Sequence, residues 1–244
     1  LKYIKQNERI GLTKINNNGS EMKIINVLPD DKIIVQFQDE FACTKEVHWN
    51  NFKKGNVMNP YDRKNGGVGY IGEGKYKTKV NGRNTRIHNT WNDMLSRCYS
   101  ETKRNQYIAY ENCDVCEEWH NFQVFAKWYE ENYYSIGNGR MHLDKDIIYK
   151  ENYLYAPERC IFVPQKINMI FMQKPNKFNL PSGISLTDTN KYHSSYNGKG
   201  LGNYDTLEDA IFIHDEAKRK HIKTIVNEYG TSLPDRVRNA LLNW

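Results

Sequence analysis

Cys113 and Cys116 form a Cys-x-x-Cys pair, the spacing at which two thiolates can share one soft metal ion. Cys98 and Cys160 lie on segments expected to approach the same helix, so the four together could make a tetrahedral structural zinc site. The competing reading is that all four are small buried hydrophobes; it takes precedence because only one true Cys-x-x-Cys is present. Cys43 has no partner nearby and reads as core. Five cysteines in 244 residues are too few for a disulfide scaffold of this length. A second chemistry is electrostatic. Net charge is +6, but residues 61–100 alone carry eight basic and three acidic side chains. Within them Lys75, Lys77, Lys79, Arg83 and Arg86 are interleaved with Tyr70, Tyr76 and several glycines. Alternating cations, aromatic rings and free backbone suit a segment laid along the phosphates of DNA. A solvated loop is the plain alternative.

The elements that must position these residues are read from periodicity. Residues 8–60 alternate apolar and polar positions, with strands at 22–27 and 32–37 and turns at Asn17-Asn18-Gly19 and Pro29-Asp30-Asp31. This pattern predicts a small antiparallel barrel. Residues 61–88 read as a basic arm. Residues 89–175 read as a compact unit. A helix starts at Asn89 or Thr90 with Trp91, Met94, Leu95 and Cys98 on one face, and a second helix runs over 117–132. A hairpin follows over 141–163 with its turn at Lys150-Glu151-Asn152, and then a short helix over 165–172. A linker covers Asn176 to Ser182. Strands at 183–186, 191–196 and 200–204 precede a helix over 206–229 that opens on an acidic first turn, and a short amphipathic helix ends the tail. The predicted fold class is therefore α+β: N-terminal barrel (1–60), basic arm (61–88), central hairpin-and-helix core with supporting helices (89–175), and a three-stranded sheet packed on a helix (183–244).

Two resemblances follow from particular residues. Trp91, Met94, Arg97-Cys98, Val115-Cys116, Glu118-Trp119, Phe122, Phe125, Leu143-Asp144-Lys145-Asp146, Tyr155-Ala156-Pro157, Cys160 and Asn168 together resemble the phage HNH endonuclease family, over about a third of the chain. The resemblance implies a ββα-metal core in which Asp144 and Asn168 hold one divalent ion. Their oxygen donors suit magnesium or manganese, and the ion stabilises the leaving oxygen of a phosphodiester. The sequence departs from the family at the general-base histidine, which falls at Lys145, and at the middle asparagine that orients it, which falls at or near Arg159. A lysine is charged near neutrality unless strongly desolvated, so Lys145 suits phosphate neutralisation better than proton abstraction. His142 lies three residues earlier, on the opposite face of an extended strand. Tyr149 and Tyr153 are further conceivable bases.

Residues 183–230 resemble the ethylene-response-factor (APETALA-type) DNA-binding domain. The likeness is carried by Gly183-Ile184-Ser185, Lys191-Tyr192, Asn197-Gly198-Lys199, Leu201-Gly202, Tyr204-Asp205-Thr206, Glu208-Asp209-Ala210 and Ala217. It implies that the exposed sheet face enters the major groove, here offering Lys191, Tyr192, His193, Ser194, Tyr196 and Lys199. The Arg and Trp pairs of the plant domains are missing, and arginine is the usual reader of guanine.

Two functions fit. One is a phage or prophage nicking or homing endonuclease. The other is a binding protein with a degenerate nuclease core, acting as a regulator or as an inhibitor of a host defence nucleoprotein. The replaced histidine separates them and leans towards the second. The expected partner is DNA and the expected location the cytoplasm of a phage or prophage host. No stretch approaches the roughly 18 apolar residues of a membrane helix, and the opening residues, Leu1 to Arg9, do not resemble a signal peptide.

Overall fold

Alternation over residues 13–48 builds four strands rather than two. In the computed structural model, which describes residues 8–106, 110, 112–172 and 180–244, they are β1 (Thr13–Ile15), β2 (Glu21–Val27), β3 (Lys32–Phe37) and β4 (Thr44–His48). They pair antiparallel in chain order. Among the described residues β1 and β4 remain the edges, so the sheet is an open meander and the predicted barrel does not form. The physical reason is that the sheet has one apolar face to cover. Met22, Ile24, Ile33, Val35 and Phe37 point to it, and Trp49 and Phe52 of the short helix α1 (Trp49–Lys54) join the same core with Cys43. With a helix in place there is no exposed face for a closing strand to bury.

Residues 61–88 are not a free arm. Tyr70 receives and gives backbone hydrogen bonds, its N–H to His120 O and its carbonyl from Phe122 N–H, both 2.9 Å. The Gln123 amide pairs with the backbone of Tyr76 in both directions at 3.0 Å. The basic part then folds back as a hairpin of β5 (Lys79–Val80) and β6 (Arg83–Asn84). Its two turn residues, Asn81 and Gly82, both have positive φ (50° and 73°), the backbone a tight hairpin turn demands.

Helix α2 (Arg86–Tyr99) begins one turn earlier than the sequence suggests, because Thr85 Oγ1 accepts the His88 N–H at 3.2 Å and starts it. Its predicted face of Trp91, Met94, Leu95 and Cys98 is buried. Trp91 Nε1 donates to Trp119 O at 2.7 Å, and its ring meets Phe122 edge-on. A short helix α3 (Glu101–Gln106) follows. The single helix expected over 117–132 is a 3-10 turn (Glu117–His120) and then α4 (Phe122–Asn132). Asn121 divides them by accepting the Gln123 N–H.

β7 (Asp114–Val115), β8 (Met141–Asp144), β9 (Leu154–Tyr155) and β10 (Ile161–Pro164) come next. β8 and β10 pair antiparallel with Ile161 opposite Asp144, while β9 pairs parallel with β7. The hairpin is thus shorter than predicted and its connection, residues 145–160, longer. α5 (Gln165–Phe171) follows β10 directly. The expected linker falls partly on residues 173–179, outside the described residues. Beyond it, β11 (Ile184–Leu186), β12 (Tyr192–Tyr196) and β13 (Lys199–Tyr204) form an antiparallel sheet on α6 (Leu207–Tyr229), and α7 (Asp235–Leu242) ends the chain. Thr206 caps α6 by accepting the Asp209 N–H at 3.1 Å.

The chain is mixed α+β, and its described residues divide into two compact units, Leu1–Tyr99 with Glu117–Lys127 and Ser100–Cys116 with Trp128–Trp244. In the second unit the hairpin, α5, α6 and α7 share one core, in which Ile161, Val163, Ile167 and Phe171 meet Ile222, Ile225, Val226, Val237 and Leu241. No described helix is long and apolar enough to cross a membrane.

Candidate functional site

The corner at the end of β8 is built by Asp144. Its Oδ1 accepts the N–H groups of Asp146 (2.8 Å) and Ile147 (2.9 Å). These bonds turn the chain out of the strand, so β8 stops at Asp144 rather than running to Tyr149. The carboxylate is 7 % exposed. Burial, reinforced by the charge of Asp146, pushes its pKa up to about 6 against the pull of the two backbone N–H groups.

Lys145 lies beyond the strand, so the alternation that set it opposite His142 does not apply to it. Its side chain turns inward and is 5 % exposed. The ammonium donates to Asp146 Oδ1 at 2.6 Å and to the carbonyl of Asn152, and it lies 5.9 Å from the centre of the Tyr155 ring.

The residue that braces this corner is Asn152, which sequence reasoning placed only in a turn. Its Nδ2 donates to Lys145 O (2.7 Å) and Leu154 O (2.9 Å), and its Oδ1 accepts from Leu154 N (3.1 Å). Arg159, expected at or near the orienting position, stands behind it and donates to Asn152 Oδ1 at 3.3 Å. The signal for Asn152 was its type, since a buried turn asparagine is a donor and an acceptor for local backbone. Tyr149 and Tyr153 are both exposed on this connection, and the Tyr149 ring lies 5.5 Å from the Arg159 guanidinium.

Asn168 sits half-buried on α5, on the helix that follows the hairpin. The order strand, strand, helix is therefore that of a ββα unit. The donors for a divalent ion are thin, however. Asp144 Oδ1 is already shared by two N–H groups, and the position beside it carries an ammonium. Asp144 and Asn168 alone supply one carboxylate and one amide, and a hard ion would need its remaining oxygens from water or substrate. Among the described residues no group of three or more His, Cys, Asp or Glu side chains is placed to hold a metal ion.

Of the four cysteines, Cys116 and Cys160 are near enough that the charge of Cys116 raises the pKa of Cys160. Cys98 is buried in the first unit; Cys113, Cys116 and Cys160 belong to the second. Cys116 N–H bonds to Tyr155 O at 2.9 Å, so the Cys-x-x-Cys flanks the β7–β9 pair. Burial pushes the Cys160 thiol far above its ordinary value.

Two surfaces carry the remaining residues. In the first unit Lys75, Lys77, Lys79, Arg83 and Arg86 are all exposed on or beside the β5–β6 hairpin, with the Lys75 ammonium 4.8 Å from the Tyr76 ring. In the second, alternation along β12 sets His193 on the outer sheet face, where its Nδ1 meets Asn203 Oδ1 at 2.8 Å. Lys191 is exposed and paired with Asp205 at 2.9 Å, and Lys199 is exposed at the turn. Tyr192, Ser194 and Tyr196 share the opposite parity. Ser194 is fully buried, and Tyr196 packs against α6, its hydroxyl 2.8 Å from His221 Nδ1 and its ring edge-on to His214. Strand parity therefore sets Lys191 and His193 on one face and Tyr192, Ser194 and Tyr196 on the other, of which only Ser194 is fully buried.

Sequence reasoning also passed over Lys218. It stands four residues before Ile222 and seven before Ile225, on the buried stripe of α6; a lysine at that spacing was the available signal. Compared with family models, with curated proteins and with solved structures, the chain finds no match in any of the three.

Proposed function

We propose that this chain is a DNA-binding protein whose ββα core grips the nucleic acid and does not cut it. The observation that carries this reading is Lys145. The position where a nucleolytic core needs a proton acceptor holds an ammonium, locked by Asp146 and by the Asn152 carbonyl. An ammonium held by those two acceptors has no lone pair with which to take a proton from water. The exposed cations of the β5–β6 hairpin support the same reading independently, since such groups supply the salt-dependent part of DNA affinity. A phage or prophage regulator, or an inhibitor that grips a host defence nucleoprotein, is the role this reading implies.

Metal-dependent nicking is the second reading. It is favoured by Asp144 at the end of the first hairpin strand and by the helix that follows the second strand. Supercoiled plasmid incubated with the full chain and magnesium or manganese decides between them. Retarded migration without relaxation is the expected result. Relaxation that disappears in Asp144→Ala would replace the gripping role with an endonuclease, and absence of any duplex binding would end both readings.

A further inference from the structure

The second unit contains a cleft of about 1420 Å³. One wall is a single face of α6, carrying His214, Asp215, Lys218 and His221. The other includes Lys150, with Trp244 between. Lys218 enters this cleft in an unusual state. The residue is only 6 % exposed. Its ammonium lies 4.0 Å from the centre of the Trp244 ring and 4.7 Å from that of Phe171. Among the described residues it makes no hydrogen bond and no ion pair. Lys150 is 4.0 Å from the same indole ring, and it too has no carboxylate partner among the described residues.

A buried amine on ring faces, open to a cleft and with no carboxylate in ion-pair contact, is poised for nucleophilic rather than electrostatic work. We infer that Lys218 is a carbonyl-reactive amine, and that the cleft takes a phosphorylated aldehyde which Lys218 captures as a Schiff base. Nζ attacks the carbonyl carbon and forms the C–N bond. The C=O π pair moves to the oxygen, which takes up a proton as Nζ releases one, giving the carbinolamine hydroxyl. That hydroxyl leaves as water when a second proton reaches it and the C=N bond forms, so no oxidant or reductant enters. Proton donors line the same cleft: His214, whose Nδ1 is 3.2 Å from Asp215 Oδ1, and the His221–Tyr196 pair. Lys150 supplies the charge that a phosphate on the aldehyde requires.

Protonation supports the geometry. Burial lowers the Lys218 pKa to about 8; Asp215 on its own helix and Asp144 on β8 oppose that shift, and Lys150 assists it. An ordinary lysine has a pKa near 10.4, so at pH 7.5 the neutral fraction at Lys218 is larger by on the order of 100-fold. Two sources of the substrate are distinguishable. One is a free sugar phosphate. The other is the ring-opened deoxyribose of an abasic site in duplex DNA, and only that source rests on the DNA-binding reading.

The test uses the full chain with two probes, glyceraldehyde 3-phosphate and a duplex bearing one abasic site, each trapped with cyanoborohydride. Intact mass and peptide mapping locate the adduct, and anisotropy with an undamaged duplex is measured alongside. The expected result is one adduct per chain at Lys218, with a yield that half-rises near pH 8. It should fall at least tenfold in Lys218→Arg and in Lys218→Met, whichever retains the parent melting curve. Lys150→Met should reduce capture of glyceraldehyde 3-phosphate but not of unphosphorylated glyceraldehyde. Adducts spread evenly over surface lysines overturn the inference, as does a yield that Lys218→Arg leaves unchanged. If the duplex binds but nothing is trapped at Lys218, the inference falls and the DNA-binding reading stands. If the small aldehyde is trapped there and no duplex binds, the reverse holds.

Discussion

Asn152 Nδ2 donates to the carbonyl oxygen of Lys145 at 2.7 Å, while the ammonium of Lys145 donates to the carbonyl of Asn152. The two residues close the connection between β8 and β10 on each other. Asn152→Ala removes three bonds to buried or half-buried backbone and leaves their partners unsatisfied. Each such loss costs about 1 kcal/mol or more, so the variant should be destabilised by roughly 2–4 kcal/mol. Urea unfolding measures it. A midpoint within error of the parent would mean that the loop is not held by this pair.

The pH dependence of stability follows from Asp144. Its folded pKa, pushed up to about 6, exceeds the ordinary aspartate value of 3.8, so the folded chain binds this proton more tightly than the unfolded chain. The resulting contribution is fully present below about pH 3.8 and is lost as the pH rises through about 6. A difference of this size is worth roughly 3 kcal/mol at most. Asp144→Asn keeps an oxygen for the Asp146 and Ile147 N–H groups but cannot titrate. Unfolding free energies at pH 4.5 and 7 should therefore converge in the variant relative to the parent. An identical slope in both proteins would assign the pH dependence elsewhere.

Replacing Lys75, Lys77, Lys79, Arg83 and Arg86 by Ala should weaken duplex binding and flatten its salt dependence by nearly one unit of slope per lost phosphate contact. All five side chains are exposed, so the melting temperature should hardly move. If the salt slope persists, the hairpin does not touch DNA.

Much of the second unit was legible in the sequence. The strands expected at 183–186, 191–196 and 200–204 appear within a residue or two as β11, β12 and β13, and the long helix begins beside its Thr206 cap. Short period-two runs bounded by Asn197-Gly198 and a capped helix are local signals, and local signals survive into the fold. The corner at Asp144 was not legible. A run from Met141 to Tyr149 reads as one strand until a side-chain oxygen captures the next two N–H groups, and apolar periodicity does not report that competition. The barrel failed for a different reason. Alternation shows that a sheet has one wet face, but not whether a strand or a helix covers the other. Lys218 was hidden because charge in a helix reads as exposure, whereas its position on the stripe decides its surroundings.

Gly69 marks where the segment after the first sheet presses on α2. A Cβ there would stand 2.3 Å from Leu95 Cδ1 and 2.9 Å from the Trp91 ring. Leu95 and Trp91 are both fully buried, so neither yields cheaply. Gly69→Ala should cost about 1–3 kcal/mol through overpacking. Gly67→Ala is the informative companion: a Cβ there meets nothing within 4 Å, although φ is 77°, so it reports backbone strain alone. Equal losses in the two variants would remove the packing argument.

The core shared by the hairpin, α5, α6 and α7 imposes an order on synthesis. Ile161, Val163, Ile167 and Phe171 leave the ribosome well before Ile222, Ile225 and Leu241, the residues that cover them. At about 5–20 residues per second, the interval for the fifty to seventy intervening positions is on the order of several seconds. During that time the hairpin and α5 have no finished core, and their apolar side chains stand open to any chaperone or neighbouring chain. A transcript truncated after α5 would therefore yield a sticky fragment, not a small working domain, and the nascent chain should be most dependent on holdase chaperones during that interval.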